Sequence, residues 1–166
     1  SRMGRGSGGT LLLIKKSLSE FVSVVQTNVD NMLSVRLSKT LFGCDKDVIF
    51  IGMYNHPSAS PYYEGKDYEC AIDELEQFLL STLEQTDECY YLLSGDLNAR
   101  IGEWGLRMED VDDDDGLNGF ENEDGLFFER HSDDKTENAF GRKLMDLCTV
   151  FGLLPLNGFF HETKHF

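Results

Sequence analysis

The sequence lacks the paired-cysteine spacing of a structural zinc site. Its four cysteines lie far apart along the chain, and no C-x-x-C pair is present, which argues against a zinc site. Each cysteine lies in or beside an apolar segment, which is typical of reduced, buried thiols in a cytosolic or nuclear protein. No apolar run is long enough to span a membrane and no signal peptide pattern is present, so we expect an intracellular protein without a membrane partner.

Length and composition indicate a globular domain. The chain has 166 residues, of which 40% are hydrophobic and 11% aromatic, enough for one domain with a sizeable core. Internal repeats and evident domain linkers are also lacking. The chain begins at Ser1 and ends at Phe166 directly after an apolar stretch, so we expect residues 1–166 to be part of a domain that continues past both ends.

Basic residues are scarce for a protein that binds nucleic acid. The net charge is −15, whereas DNA-binding surfaces are usually basic. The charge is uneven, because residues 103–137 carry 14 acidic and three basic side chains and so account for −11 of the total. A charge run of this density is typical of a solvated loop. It therefore leaves the binding partner of the rest of the chain open.

The pattern of apolar residues predicts a layered sheet with helical connections. Strands are predicted at 10–15, 21–26, 32–37, 47–54, 90–94 and 153–156. Helical spacing of apolar residues predicts two helices, 67–85 and 138–151, and Asn138 or Thr136 is suited to cap the second. The order predicts an α/β or α+β fold. Because one helix joins strands 47–54 and 89–94, we expect these two to be adjacent, parallel and central in one sheet.

A polar segment follows one of the predicted strands. The apolar run 89–93 predicts a short buried strand, and it delivers Asp96 and Asn98 to the strand's C-terminal end. Ligands bind at that end in sheets with helical connections. A carboxylate can hold a water or accept a proton, and a carboxamide can donate to a phosphate oxygen, which together suit hydrolysis of a phosphate ester. The alternative is an ordinary Gly-Asp-Asn turn.

This segment resembles a known family signature. Residues 92–102, Leu-Leu-Ser-Gly-Asp-Leu-Asn-Ala-Arg-Ile-Gly, resemble the GDFNAR-x-G signature of the endonuclease/exonuclease/phosphatase superfamily, and most of all the endonuclease domain of LINE-type (non-LTR) retrotransposons. Three further segments follow the family's order: a Gly-rich strand entry at 6–14, a strand ending in Tyr and Pro at 48–57, and a helix and strand at 132–158. The resemblance implies a four-layered α/β sandwich and Mg²⁺-dependent hydrolysis of DNA phosphodiesters.

The resemblance also assigns roles to three residues. Asp96 would bind or deprotonate the attacking water or protonate the leaving oxygen, and Asn98 would orient the scissile phosphate. Tyr54 would hydrogen-bond a phosphate oxygen from the end of the neighbouring strand, although a strand-end aromatic that packs on the core is an equal alternative. We expect the three side chains to converge on one cleft. The order Tyr-Asn-His-Pro at 54–57 departs from the family pattern, so no role transfers to Asn55 or His56.

Two further elements of the family pattern do not occur in the chain. The family binds Mg²⁺ with a Glu on a strand ahead of the Gly-rich segment, and it uses a C-terminal Ser-Asp-His as general base and positioning pair. The chain begins at the Gly-rich segment, and no Ser-Asp-His occurs in it. We therefore expect an incomplete site that does not nick plasmid DNA alone but does so when extended at both ends. The alternative is a non-catalytic remnant that serves as a binding or interaction module.

Overall fold

The computed structural model describes residues 10–65, 70–85, 88–103 and 132–157. The strands and helices are β1 (Val22–Val25), β2 (Met32–Leu37), β3 (Val48–Tyr54), α1 (Ala71–Gln85), β4 (Tyr90–Asp96) and α2 (Ala139–Phe151), with short 3-10 helices at Lys16–Phe21, Lys39–Leu41 and Pro61–Tyr63. The chain forms two compact units, residues 1–98 and 99–166. None of the helices in the described ranges could cross a membrane, because none combines sufficient length with sufficient apolar character.

The first unit contains a mixed sheet. Its strand order is β1-β2-β3-β4, with antiparallel pairing of β1 with β2 and of β2 with β3, and parallel pairing of β3 with β4. The predicted parallel neighbours 47–54 and 89–94 are therefore confirmed as a pair. Helix α1 connects them, as a parallel crossover requires. The combination of helices with this sheet confirms the α/β class.

Strand β3 is fully buried on one face of the sheet. Ile49, Ile51 and Met53 alternate along β3 and are at most 2% exposed. The N–H of Ala71, the first residue of α1, donates to the side chain of Asn55, which continues the same alternation. We call this the α1-side face, and the opposite face, which carries the alternate β3 residues 48, 50, 52 and 54, the second face.

The apolar stripe of α1 differs from the predicted one at its C-terminal end. The sequence predicts that Leu83 belongs to the buried stripe, but its side chain is exposed. Thr82 is buried instead, and its hydroxyl donates to the carbonyl of Phe78 at 2.7 Å. A threonine can occupy a buried helical position in this way because the preceding turn accepts its O–H.

Strand β4 is not the buried central strand that the apolar run predicts. Among the strands that the structure describes, it is the last in the sheet order, and the side chains of Tyr90 and Leu92 are exposed. Both residues pair with residues of the second face, Val48 and Phe50. The prediction was wrong because an apolar run is compatible with burial on either face, and burial depends on the elements that cover each face.

Two other predicted strands are absent from the structure. Residues 10–15 and 153–156 have no regular secondary structure. A strand requires a neighbour that accepts its backbone hydrogen bonds, and the apolar pattern contains no information about that neighbour. In the second segment, Pro155 has no N–H to donate. The predicted acidic loop at 103–137 falls largely outside the described residues, since residues 104–131 are not among them.

The second unit contains α2 and the segment that packs on its first turn. The side chain of Asn138 caps the helix by accepting the N–H of Gly141 at 2.7 Å, which confirms one of the two predicted caps. The same oxygen accepts the N–H of Arg100 at 3.1 Å, and the N–H of Asn138 donates to the carbonyl of Arg100 at 3.1 Å. At the other end, Gly152 is left-handed, with φ of 61°, and terminates the helix.

Asp47 gives the stability of the first unit a dependence on acid. Its carboxylate accepts the N–H of Lys39 at 2.8 Å and the Nε–H of Arg36 at 2.6 Å, and these bonds lower its pKa below the ordinary 3.8. A lowered pKa means that the stabilisation is complete above pH 3.8 and is lost as the pH falls through the folded-state value. We expect Asp47→Asn to be less stable than wild type at pH 7, and the two unfolding temperatures to converge towards pH 2. Parallel curves over that range would contradict this assignment.

Candidate functional site

Two of the predicted site residues lie opposite each other at the ends of paired strands. Tyr54 is the last residue of β3, Asp96 is the last residue of β4, and the parallel register pairs them directly. Both line an open cavity of about 360 Å³ on the second face. The remaining lining residues are Thr10, Leu11, Leu12, Leu33, Phe50, Gly52, Met53, Ser94 and Gly95. Asp96 is exposed, so its carboxylate is accessible to a ligand in this cavity.

Asn98 lies next to Asp96 in a left-handed turn. Its φ is 46°, and its backbone N–H donates to Oδ1 of Asp96 at 3.0 Å. Its side-chain Nδ2 donates to the backbone carbonyl of Asn55 at 2.7 Å. The structure therefore places Asn98 beside Asp96, with its carboxamide nitrogen bonded to the backbone at the end of β3. The bond from the Asn98 N–H to Asp96 is the turn chemistry that the alternative interpretation of the motif proposes.

Asn55 is the residue that the sequence argument missed. It is 0% exposed, and every polar group of its side chain is bonded. Nδ2 donates to the carbonyl of Leu97 at 2.8 Å, while Oδ1 accepts the hydroxyl of Tyr63 at 2.8 Å and the N–H of Ala71 at 3.0 Å. Burial raises the pKa of Tyr63, so this hydroxyl stays a donor at neutral pH.

A signal for Asn55 was present in the sequence. Position 55 continues the alternation of Ile49, Ile51 and Met53, which places it on the face that β3 buries. A carboxamide at a buried position must be hydrogen-bonded, because an unsatisfied buried amide costs about 1–3 kcal/mol. An Asn at the end of a central strand therefore predicts a local hydrogen-bond network, without identifying its partners.

The ring of His56 contacts the ring of Tyr54. The His56 ring stacks on Tyr62 with 3.9 Å between ring centroids, and it meets the Tyr54 ring edge-on at 4.8 Å. The His56 Nε2 is 3.2 Å from Nδ2 of Asn31, and the N–H of Tyr54 donates to the Asn31 carbonyl at 3.0 Å. The side chain and the backbone of Tyr54 are thus both held by neighbours. This arrangement is compatible with a positioned hydroxyl and equally with a strand-end aromatic that packs locally.

The described residues do not form a complete magnesium site. In residues 10–65, 70–85, 88–103 and 132–157, no three His, Cys, Asp or Glu side chains lie close enough together to hold a metal ion. Asp96 supplies one exposed carboxylate at the cavity, and Mg²⁺ takes six oxygen ligands in near-octahedral geometry.

Comparison with models of protein families finds no match, and comparisons with curated proteins and with solved structures find none either.

Proposed function

We propose that this chain handles the phosphate in hydrolysis of DNA phosphodiesters, in the manner of the endonuclease/exonuclease/phosphatase superfamily. The observation that carries the proposal is the direct pairing of Tyr54 with Asp96 at the tips of two parallel strands, with Asn98 bonded to Asp96. Ligands bind at this end of parallel strands. The hydroxyl of Tyr54, at the end of one strand, and the carboxylate and carboxamide of Asp96 and Asn98, at the end of the other, provide donors for a phosphate and an acceptor for a water.

The chemistry of each side chain sets the role that we propose for it. Asp96 is exposed, and its carboxylate would hold the attacking water or pass a proton to the leaving oxygen. Asn98 and Tyr54 would donate to phosphate oxygens, where charge builds up during the displacement. Mg²⁺ is the cofactor that we propose by resemblance, and it would neutralise phosphate charge when bound. Asp96 is the described residue that would help to hold it.

The sheet's second face supports the proposal of a four-layered sandwich. The side chains of Val24 and Leu92 lie on this face through the pairing of β1, β2, β3 and β4, and they are 80% and 42% exposed. An apolar sheet face is normally covered by another layer. In the proposed fold a second sheet packs on this face, and the helices form the outer layers.

Magnesium-dependent DNA binding provides the test. We expect Mg²⁺ to tighten binding of a short DNA duplex to the wild-type chain, because Asp96 would help to hold the ion and the ion would neutralise phosphate charge. In Asp96→Asn we expect this Mg²⁺ enhancement to be about tenfold smaller, the effect of one interaction worth roughly 1.4 kcal/mol. The dissociation constant is measured by fluorescence anisotropy with and without Mg²⁺ at one fixed ionic strength, since DNA affinity depends strongly on salt.

Asp45→Asn is the matched control. It removes the same charge at the opposite end of the strand pair, where Asp45 accepts the hydroxyl of Tyr90. Its Mg²⁺ enhancement should equal that of wild type. An equal loss in both variants would show that only the total charge matters. No Mg²⁺ enhancement in the wild-type chain would overturn the proposed phosphate site.

Incubation of the same proteins with supercoiled plasmid in Mg²⁺ tests the reaction itself. Because the chain contains no Ser-Asp-His, we expect the plasmid to stay intact with the wild-type chain. Nicking that disappears in Asp96→Asn would show that the reaction does not need Ser-Asp-His, and would keep Asp96 in its role. Nicking that persists in Asp96→Asn would remove Asp96 from the reaction.

A further inference from the structure

Asn55 bonds to each residue of the segment that carries the candidate site. Its backbone N–H donates to the carbonyl of Asp96 at 2.9 Å, and its Nδ2 donates to the carbonyl of Leu97 at 2.8 Å. Its backbone carbonyl accepts Nδ2 of Asn98 at 2.7 Å. Three consecutive residues are thus tied to one residue of the neighbouring strand end.

Asn55 is itself anchored from two other directions. Its Oδ1 accepts the hydroxyl of Tyr63, which also donates to the backbone carbonyl of His56 at 3.0 Å, and it accepts the N–H of Ala71 at the start of α1. The side chain is 0% exposed and cannot contact a ligand. Its effect on the site must therefore pass through the segment 96–98.

We propose that Asn55 is a positioning residue that fixes the segment 96–98 so that Asp96 and Asn98 face a phosphodiester together. This inference rests on the proposed function. Two carboxamide properties are needed at once: an acceptor for Tyr63 and Ala71, and a donor for Leu97. Aspartate has nearly the same shape and retains the acceptor, but its ionised form has no proton to donate to the Leu97 carbonyl. Asn55→Asp therefore removes the side-chain bond to Leu97, while the anchor and the two bonds made by the backbone of residue 55 are kept.

The first test uses the wild-type chain and ¹⁵N–¹H NMR. A short DNA duplex with Mg²⁺ should shift the backbone amides of residues 96–98, and it should also shift the buried side-chain NH₂ signal of Asn55. The side-chain NH₂ of Asn138, which belongs to the cap of α2, is the reference signal and should stay in place. Shifts at 96–98 without a shift at Asn55 would overturn the positioning role. No shift at 96–98 would instead contradict the proposed function, so the two failures are distinguishable.

The second test compares Asn55→Asp with Tyr63→Phe. Asn55→Asp should move the amide signals of residues 96–98 in the absence of DNA, and should lower the Mg²⁺ enhancement of DNA binding about tenfold. Tyr63→Phe removes one bond to the anchor and leaves the donor to Leu97, so it should lower the unfolding temperature while DNA binding stays within about twofold of wild type. If the folded fractions of the two variants lose DNA affinity equally, the role of Asn55 is purely structural. If Asn55→Asp does not fold, the wild-type NMR titration still decides the question.

Discussion

Replacing Gly95 with alanine should cost about 4 kcal/mol in the free energy of unfolding, the largest loss that we expect from a single substitution in this chain. Gly95 has a φ of +140°, which side chains rarely adopt, and it pairs directly with Met53 in the ladder between β3 and β4. An alanine Cβ would lie 1.8 Å from the carbonyl oxygen of Met53 and 2.9 Å from its carbonyl carbon. Because both obstacles are backbone atoms, the strands must separate, and Asp96 moves with them.

Gly43→Ala is the matched control for this prediction. Gly43 also has a positive φ, +67°, but nothing lies within 4 Å of the position that a Cβ would take. The control therefore reports the backbone strain alone, about 1 kcal/mol. Urea unfolding followed by circular dichroism gives both values. Equal losses in the two variants would mean that the contact between Gly95 and Met53 is relieved without separating the strands.

Gly141→Ala should cost about 3 kcal/mol, although alanine is the better helix former. Gly141 lies in the first turn of α2, and a Cβ there would be 1.8 Å from the carbonyl oxygen of Arg100. Relief of this contact requires the segment at Arg100 to leave the helix. The two hydrogen bonds between Arg100 and Asn138 would then be lost, each worth about 1 kcal/mol. The measurement is the unfolding temperature together with the amide signals of residues 99–103.

Gly152→Ala separates this steric effect from the general cost of changing a glycine in α2. Gly152 ends the helix with φ of 61°, and nothing lies within 4 Å of its Cβ position. We expect a loss of about 1 kcal/mol and unchanged amide signals at residues 99–103. If Gly141→Ala is as stable as wild type, the close approach of Arg100 to the helix is not rigid.

Some strands and helices could be predicted from the sequence and others could not. The strand 32–37 has the bounds that the alternation of leucine and valine predicts, and α2 begins after the predicted cap Asn138. Both depend on local chemistry, namely side-chain periodicity and a capping side chain. The predicted strands 10–15 and 153–156 failed because a strand exists only where a partner accepts its hydrogen bonds, and that partner is remote in sequence. The burial of β4 was mispredicted for the same reason, since it depends on what covers the second face.

The candidate site shows the same limit. The motif Asp-Leu-Asn at 96–98 and the end of a strand at Tyr54 could be located from the sequence, and the helix between their strands indicated that the two tips are neighbours. The turn at Asn98 has a positive φ and a bond to the Asn55 carbonyl. It could not be predicted from the sequence, because it depends on how two strand ends meet. Asn55 itself was passed over because the order of residues 54–57 departs from the family pattern, so no role was transferred to it. Its partners Tyr63 and Ala71 come from two other parts of the chain.

The exposed apolar side chains on the second face have a consequence for the colloidal behaviour of the protein. A face with Val24, Tyr90 and Leu92 in contact with water favours self-association, whereas a net charge of −15 keeps the molecules apart. The two forces respond differently to salt, because ions shorten the reach of charge repulsion from about 30 Å at 0.01 M to about 8 Å at 0.15 M and leave apolar attraction intact. The protein should therefore stay dispersed in dilute buffer and begin to cluster as the ionic strength approaches that of a cell.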